Sequence, residues 1–460
     1  MDGKAPQGVC VVKTTSMAFA SIASLCLLAC VAVGLQPAPT TEAPQSLPSS
    51  IPMPSIPVPD ASAPFVDYSK AWPARLPLGK EGVLAVAIER PRIAWGFSHL
   101  GFDLLPREAD KEEAIAILSA AGIEFTSDLI DQAVAFEASG SFIARFTENA
   151  RKGMAKRTLG SDHFVVATLT PASVNAKVPS IERTGFAFYN PVTPKGSMPR
   201  KARGIALVMP GIFGTPEGTL EALVASLRRD GWHVLRMLAQ PSRFTQAVSW
   251  TIDPAASDAQ IHALGRDIAG ALTNRVAECA YAVEGAFRYV HMLRPELAEL
   301  PRIAIGFSGG AISLPTVVAK EPAKYKAAVL VGGACHYWLT NAHSTYADMI
   351  RAIHVEWKSE PNLDQKRRVA EAYLRHAPLD AFHTAAALHG TPTLVIQANA
   401  DSAVASVLGD VLWERLGKPE RWIRPGEHLP LFISLIKDLP SLNDWINAKV
   451  PAPAPVSATP

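Results

Sequence analysis

From Arg203 onward, short apolar runs alternate with stretches whose apolar residues recur every three or four positions. Residues 204–209 read as a buried strand, 219–229 as a helix with Leu220, Leu223, Val224 and Leu227 on one face, and 232–238 as a second strand. A long helical stretch follows over 255–300, and 303–307 is another branched, apolar run. Further strands are predicted over 326–333 and 391–400, a short strand and loop over 420–428, and helices over 363–375 and 404–416. A final helix is predicted over 429–450, broken near Pro440. Such alternation calls for a mainly parallel sheet covered by helices on both faces.

Upstream the pattern is weaker. Residues 82–88, 164–169 and 185–189 are strand-like, and 110–121 and 129–151 are helical. Residues 65–184 are expected to form an extension packed on a main domain at 185–450. Residues 335–390 depart from simple strand–helix alternation and form an excursion that can roof a site.

Both ends differ in composition. Residues 16–35 are uncharged and apolar, with Lys4 and Lys13 upstream, so 1–35 reads as a secretory signal or membrane anchor. Within it Leu27-Leu28-Ala29-Cys30 resembles the lipobox of bacterial lipoproteins, which implies lipidation at Cys30. A cleaved soluble signal and an uncleaved anchor are the alternatives; all three imply export to the cell envelope or beyond. Nine prolines between residues 36 and 64 predict an extended, disordered spacer, and 451–460 a frayed tail.

The charge balance is nearly even, 44 basic against 42 acidic residues, so nothing draws the chain to nucleic acid. The five cysteines are too irregular for a disulfide framework or zinc site, and no metal or cofactor is implied.

The candidate chemistry centres on Gly306-Phe307-Ser308-Gly309-Gly310, which joins the apolar run at 303–307 to a helical start. A serine on a strand-to-helix corner is thrust outward, and small residues around it let neighbouring backbones approach. Its hydroxyl needs a base, and the base needs a carboxylate to orient it. Asp401 lies just beyond the strand that starts at Thr391, and His428 ends the short strand and loop at 420–428. Five histidines at 336, 343, 354, 383 and 389 fall too early and read as packing or surface residues. Asp380 is the nearest rival acid, and Glu427 sits too close to His428 to reach its far nitrogen.

The order Ser308, Asp401, His428, with the elbow, resembles the α/β-hydrolases over roughly residues 185–450. The resemblance implies Ser308 as nucleophile, His428 as general base and acid, and Asp401 as its orienter. It places the oxyanion hole at the backbone N–H groups of Ile212 and Gly309. Pro210 stands where the family often has histidine, and Asp401-Ser-Ala-Val404-Ala keeps only part of the usual acid-loop pattern. The implied activity is that of a serine hydrolase cleaving carboxylic esters. Phe213, Trp250, Tyr337, Trp338 and Trp357 favour a hydrophobic acyl substrate, such as a lipid or polyester. An amidase or peptidase is the alternative within the fold, and a non-catalytic envelope scaffold the alternative outside it.

Overall fold

The computed structural model describes residues 56–73, 84–88, 161–171, 179–193, 202–212, 215–238, 240, 247–347 and 353–451. The expected signal or anchor with Cys30, the two helices predicted over 110–121 and 129–151, and Phe213 lie outside the described residues. Among the described residues, no helix is long and apolar enough to cross a membrane.

Nine strands form one sheet in the order β1-β2-β3-β5-β4-β7-β8-β10-β11. Three form an antiparallel flank: β1 (Leu84–Ile88), β2 (Ser161–Pro171) and β3 (Pro179–Tyr189). The remaining six run parallel: β4 (Gly204–Met209), β5 (Trp232–Met237), β7 (Arg302–Phe307), β8 (Tyr325–Val331), β10 (Thr393–Ala398) and β11 (Glu420–Arg424). β3 joins the flank to the parallel part by pairing antiparallel with β5.

The central strands are buried on both faces, and successive side chains enter opposite cores. Ile205, Leu207 and Met209 point into the larger core, to which α2 (Asp258–Leu293), α3 (Gly309–Lys320) and α5 (Leu363–His376) also contribute. Ala206, Val208, Ile303, Ile305 and Phe307 point the other way, toward α1 (Glu217–Arg229) and α8 (His428–Lys449). The architecture is therefore an α/β-hydrolase fold: a mainly parallel sheet, helices on both faces, and an antiparallel flank on the N-terminal side.

The chain crosses from β4 out to β5, then returns to lay β7 on the other side of β4. The helix after β4 covers one face and the helix after β7 the other, so the loops leaving these neighbours diverge. A doubly wound sheet opens its ligand crevice at such a point.

The described residues 335–347 and 358–388 are largely built into the helical layer. α4 (Tyr337–Ala342) follows β8, and β9 (Ile353–Trp357) pairs parallel with β6 (Val248–Ile252) in a separate two-stranded ribbon. α5 lies on α2, close enough that a Cβ at Gly265 would meet the Ala372 backbone. α6 (Ala381–Thr384) sits against α3, with the Thr316 hydroxyl donating to the Leu379 carbonyl at 2.7 Å. Trp250 and Trp357 belong to the ribbon, while Tyr337 and Trp338 are buried in the core.

The last helix differs from expectation. α8 is continuous from His428 to Lys449, with Pro440 inside it. Leu431, Leu435, Leu439, Leu442 and Ile446 are buried along one face. That burial outweighs the ~3 kcal/mol an interior proline costs.

The prolines expected to form a spacer run to residue 64, yet residues 56–73 lie along the larger core, with Ile56, Tyr68 and Trp72 packed against it. Arg415, at the end of α7 (Ser406–Arg415), stacks between Phe65 and Phe382 and donates to the carbonyls of Ala61, Ala63 and Phe382.

Candidate active site

Ser308 stands between the last residue of β7 and the first of α3, at φ 48° and ψ −118°. This is a sparsely populated, strained conformation for a residue with a Cβ, and it lifts the side chain off the strand end. Its own amide is held by the Val331 carbonyl at 2.9 Å, and its carbonyl accepts from Ile312 N–H, so the corner is fixed from both sides. A Cβ at Gly306 would collide with the backbone of Gly310 and Ala311, which is why the turn needs glycine there.

His428 begins α8, directly after β11. Its Nδ1 lies 2.6 Å from Asp401 Oδ2, and its Nε2 lies 2.8 Å from Ser308 Oγ. A carboxylate only accepts, so the first contact puts the imidazole proton on Nδ1. Nε2 is then left to accept from the Ser308 hydroxyl. All three groups are withdrawn from solvent: Ser308 is 8% exposed, and His428 and Asp401 1% each.

Asp401 is oriented through its second oxygen. Val404 N–H donates to Oδ1 at 2.7 Å, and the Ser406 hydroxyl accepts from the Asp401 N–H. The imidazole is also packed, edge to face, by Phe432 at 4.6 Å and by Tyr346 at 5.9 Å between ring centres.

Ile212 and Gly309 border the same cleft as Ser308 and His428. Gly309 is the first residue of α3, so its N–H has no partner within the helix. Ile212 is pressed against it: a Cβ at Gly309 would overlap the Ile212 side chain and lie 3.1 Å from the Ile212 nitrogen. The loop carrying Ile212 is braced by three contacts that sequence reading missed. Thr215 Oγ1 accepts from Gly211 N–H at 2.9 Å, and Gln240 Nε2 donates to the Pro210 carbonyl at 2.7 Å. Beyond them, Arg236 on β5 makes a buried ion pair with Glu217 at the start of α1, reaching its two oxygens at 2.6 and 2.5 Å.

Asp380 and Glu427 are both placed away from the imidazole. Asp380 is buried and accepts four hydrogen bonds, from the N–H groups of His336, Tyr337 and Phe382 and from the Tyr373 hydroxyl, at 2.7–2.8 Å. It anchors the N-terminus of α4. Glu427 turns from its neighbour His428 to Ser402. His336 and His383 are buried packing residues with backbone partners, as expected.

The cleft over Ser308 is small, about 20 Å³. Ile212, Ile312, Thr340, Ser344, Tyr346 and Val404 wall it; none of the four tryptophans and tyrosines predicted to favour a hydrophobic substrate does.

No protein-family model matches the chain, and no curated protein is similar to it. Solved structures include distant likenesses. The esterase Pf2001 of Pyrococcus furiosus is 11% identical over 58% of this chain and 88% of its own, with a TM-score of 0.35. Est1E from Butyrivibrio proteoclasticus is 12% identical over 57% and 95%, with a TM-score of 0.36. The acylaminoacyl peptidase of Pyrococcus horikoshii is 11% identical over 66% and 44%, with a TM-score of 0.37. The fold stands on the strand order and the strand-to-helix corner described above.

Proposed function

We propose that the chain is a serine hydrolase that cleaves carboxylic esters through an acyl-enzyme. The observation that carries this reading is the unbroken relay from Asp401 Oδ2 through His428 to Ser308 Oγ, with the serine held at a strained corner. Ser308 Oγ attacks the ester carbonyl carbon while its proton passes to His428 Nε2. The carbonyl oxygen becomes an oxyanion facing the N–H groups of Ile212 and Gly309. His428 then gives its proton to the leaving alcohol, and the acyl group stays on Ser308. Water attacks the acyl-enzyme, its proton moves to His428, and the carboxylic acid leaves as that proton returns to Ser308 Oγ. Asp401 stays ionised throughout, holding the tautomer and stabilising the imidazolium.

The test is labelling of the protein with a fluorophosphonate, beside Ser308→Ala. Labelling that is lost in the variant is expected. A folded protein that never labels would overturn the reading and leave a non-catalytic scaffold. Ester and amide substrates of the same acyl group, compared in parallel, decide between esterase and amidase.

We infer further that the enzyme is exported and tethered by a lipid at Cys30. The apolar run at 16–35 and the lipobox-like Leu27-Leu28-Ala29-Cys30 support this. Radiolabelled palmitate incorporated by the wild type and not by Cys30→Ala is the expected result; no incorporation by the wild type would remove the lipid, and equal incorporation by both would move it off Cys30.

A further inference from the structure

We infer that the site takes esters of short carboxylic acids, about two to four carbons in the acyl group, and turns away long fatty-acyl chains. This rests on the hydrolase reading and narrows its substrate class.

The direction of the acyl group follows from the chemistry. The carbonyl oxygen must face Ile212 and Gly309. The leaving oxygen must come within reach of His428 Nε2, so the alcohol departs on the histidine's side, where Tyr346 packs against the ring. The acyl chain is left the rest of the lining, among which are the side chains of Ile212, Ile312 and Thr340. The cleft is confined, with about 20 Å³ of enclosed free space, enough to seat a short acyl stub at its open mouth and not a long chain.

Each of those three walls is fixed. Ile212 is wedged against Gly309, and its loop is held by Thr215 and Gln240. Ile312 belongs to α3, buried along its length from Gly309 to Ala319, and its own N–H is bonded to the Ser308 carbonyl. Thr340 is buried on α4, its hydroxyl donating to the Cys335 carbonyl at 3.0 Å. The first turn of α4 hangs on Asp380 through the N–H groups of His336 and Tyr337. Deepening the slot for a long chain would mean breaking the oxyanion loop, the helix that carries the nucleophile, or the Asp380 cluster. Among the described residues, Tyr337 and Trp338 are instead spent in the core and Trp250 and Trp357 in the β6–β9 ribbon.

The experiment measures kcat/KM of the full chain on 4-nitrophenyl acetate, butyrate, octanoate and palmitate, with active sites titrated by the fluorophosphonate. Activity on octanoate is expected at least about tenfold below that on acetate or butyrate, with palmitate lower still. Ile312→Ala, which shortens one wall, is expected to raise the octanoate-to-acetate ratio about tenfold, and Ile312→Val to raise it less. Octanoate turned over as fast as acetate would overturn the inference. So would an unchanged ratio in both Ile312 variants, or labelling at Ser308 without turnover of acetate. Absence of labelling is a different failure, since it removes the hydrolase reading beneath the inference.

Discussion

Glu427 and Ser402 clip together the two loops that carry the base and the acid. Glu427 precedes His428, Ser402 follows Asp401, and one carboxylate oxygen of Glu427 accepts both the Ser402 N–H and its hydroxyl at 3.0 Å. The same loops are joined by Ala400 N–H on the Gly426 carbonyl and by Gly426 N–H on Asn399 Oδ1. Ser402 in turn holds Thr345, whose N–H donates to the Ser402 carbonyl, beside the segment walling the cleft. The residue thus registers the base loop against the acid loop while touching no reacting atom.

Glu427→Ala is therefore expected to lower kcat by about tenfold with little change in KM, because a small misplacement of the imidazole is felt in the transition state. Glu427→Gln retains a carbonyl oxygen for the Ser402 donors and should recover most of the loss. Equal kcat in all three proteins would show that the other loop contacts suffice.

A second positioning group stands on the opposite side of the cleft. Thr215 Oγ1 takes the Gly211 N–H, and the hydroxyl is fully buried, so no water can replace it. Thr215→Val keeps the shape and removes the acceptor. It is expected to cost about 10–100-fold in kcat, less than deleting an oxyanion donor outright. Thr215→Ser should stay within a few-fold of wild type. Steady-state kinetics on a short-chain ester decide it, with thermal unfolding run beside them to separate a folding defect from a catalytic one.

What was legible in the sequence, and what was not, follows the range of the interactions. The parallel strands are bounded apolar runs, so 204–209, 232–237 and 302–307 declare themselves locally. Ser308, Asp401 and His428 could be read because each follows a strand end, and the structure brings the three within hydrogen-bond reach of one another. Thr215, Gln240 and the Asp380 cluster gave no such signal. They are single polar residues in apolar surroundings, and the partners of Gln240 lie 30 and 39 residues away. The β6–β9 ribbon is equally silent, since its strands are five residues long, half-exposed, and a hundred residues apart in the chain. Pro440 misled in the other direction: a local rule for ending helices yields to a buried face that continues through it.

The two aspartates should separate cleanly. Asp401→Asn keeps the shape of the acid but gives His428 Nδ1 an amide partner that can reverse the tautomer. It is expected to lower kcat by roughly 10³–10⁴ at near-normal stability. Asp380→Asn turns an acceptor of four hydrogen bonds into a group whose NH2 confronts donors, and it should cost about 3 kcal/mol of stability. Urea denaturation and turnover of both variants check this. If Asp380→Asn were the one to lose turnover at unchanged stability, the assignment of the acid would be exchanged.

The last prediction concerns acid. His336 is fully buried, and burial pushes its imidazole down to about 4, against the favourable charge of Asp380 nearby. Its Nδ1 caps α4 by accepting from Leu339 N–H, and its Nε2 faces the Ala370 carbonyl at 3.2 Å, so the neutral Nε2–H tautomer satisfies both. In the unfolded chain the same group protonates near 6.5. A folded value below the unfolded one means that the unfolded state binds the proton first. The stability is whole above about pH 6.5, falls as the pH drops below that, and stops falling below about 4. Between pH 7 and pH 5 the loss from this one group is about 2 kcal/mol. His336→Asn accepts the left-handed backbone found here, φ 64°, and retains a capping oxygen, but cannot titrate. Urea midpoints at pH 7 and pH 5 should therefore move less in the variant than in the wild type, by the equivalent of that ~2 kcal/mol. An equal shift in both would place the acid sensitivity in another histidine, such as His233 or His343, whose burial also lowers them to about 4.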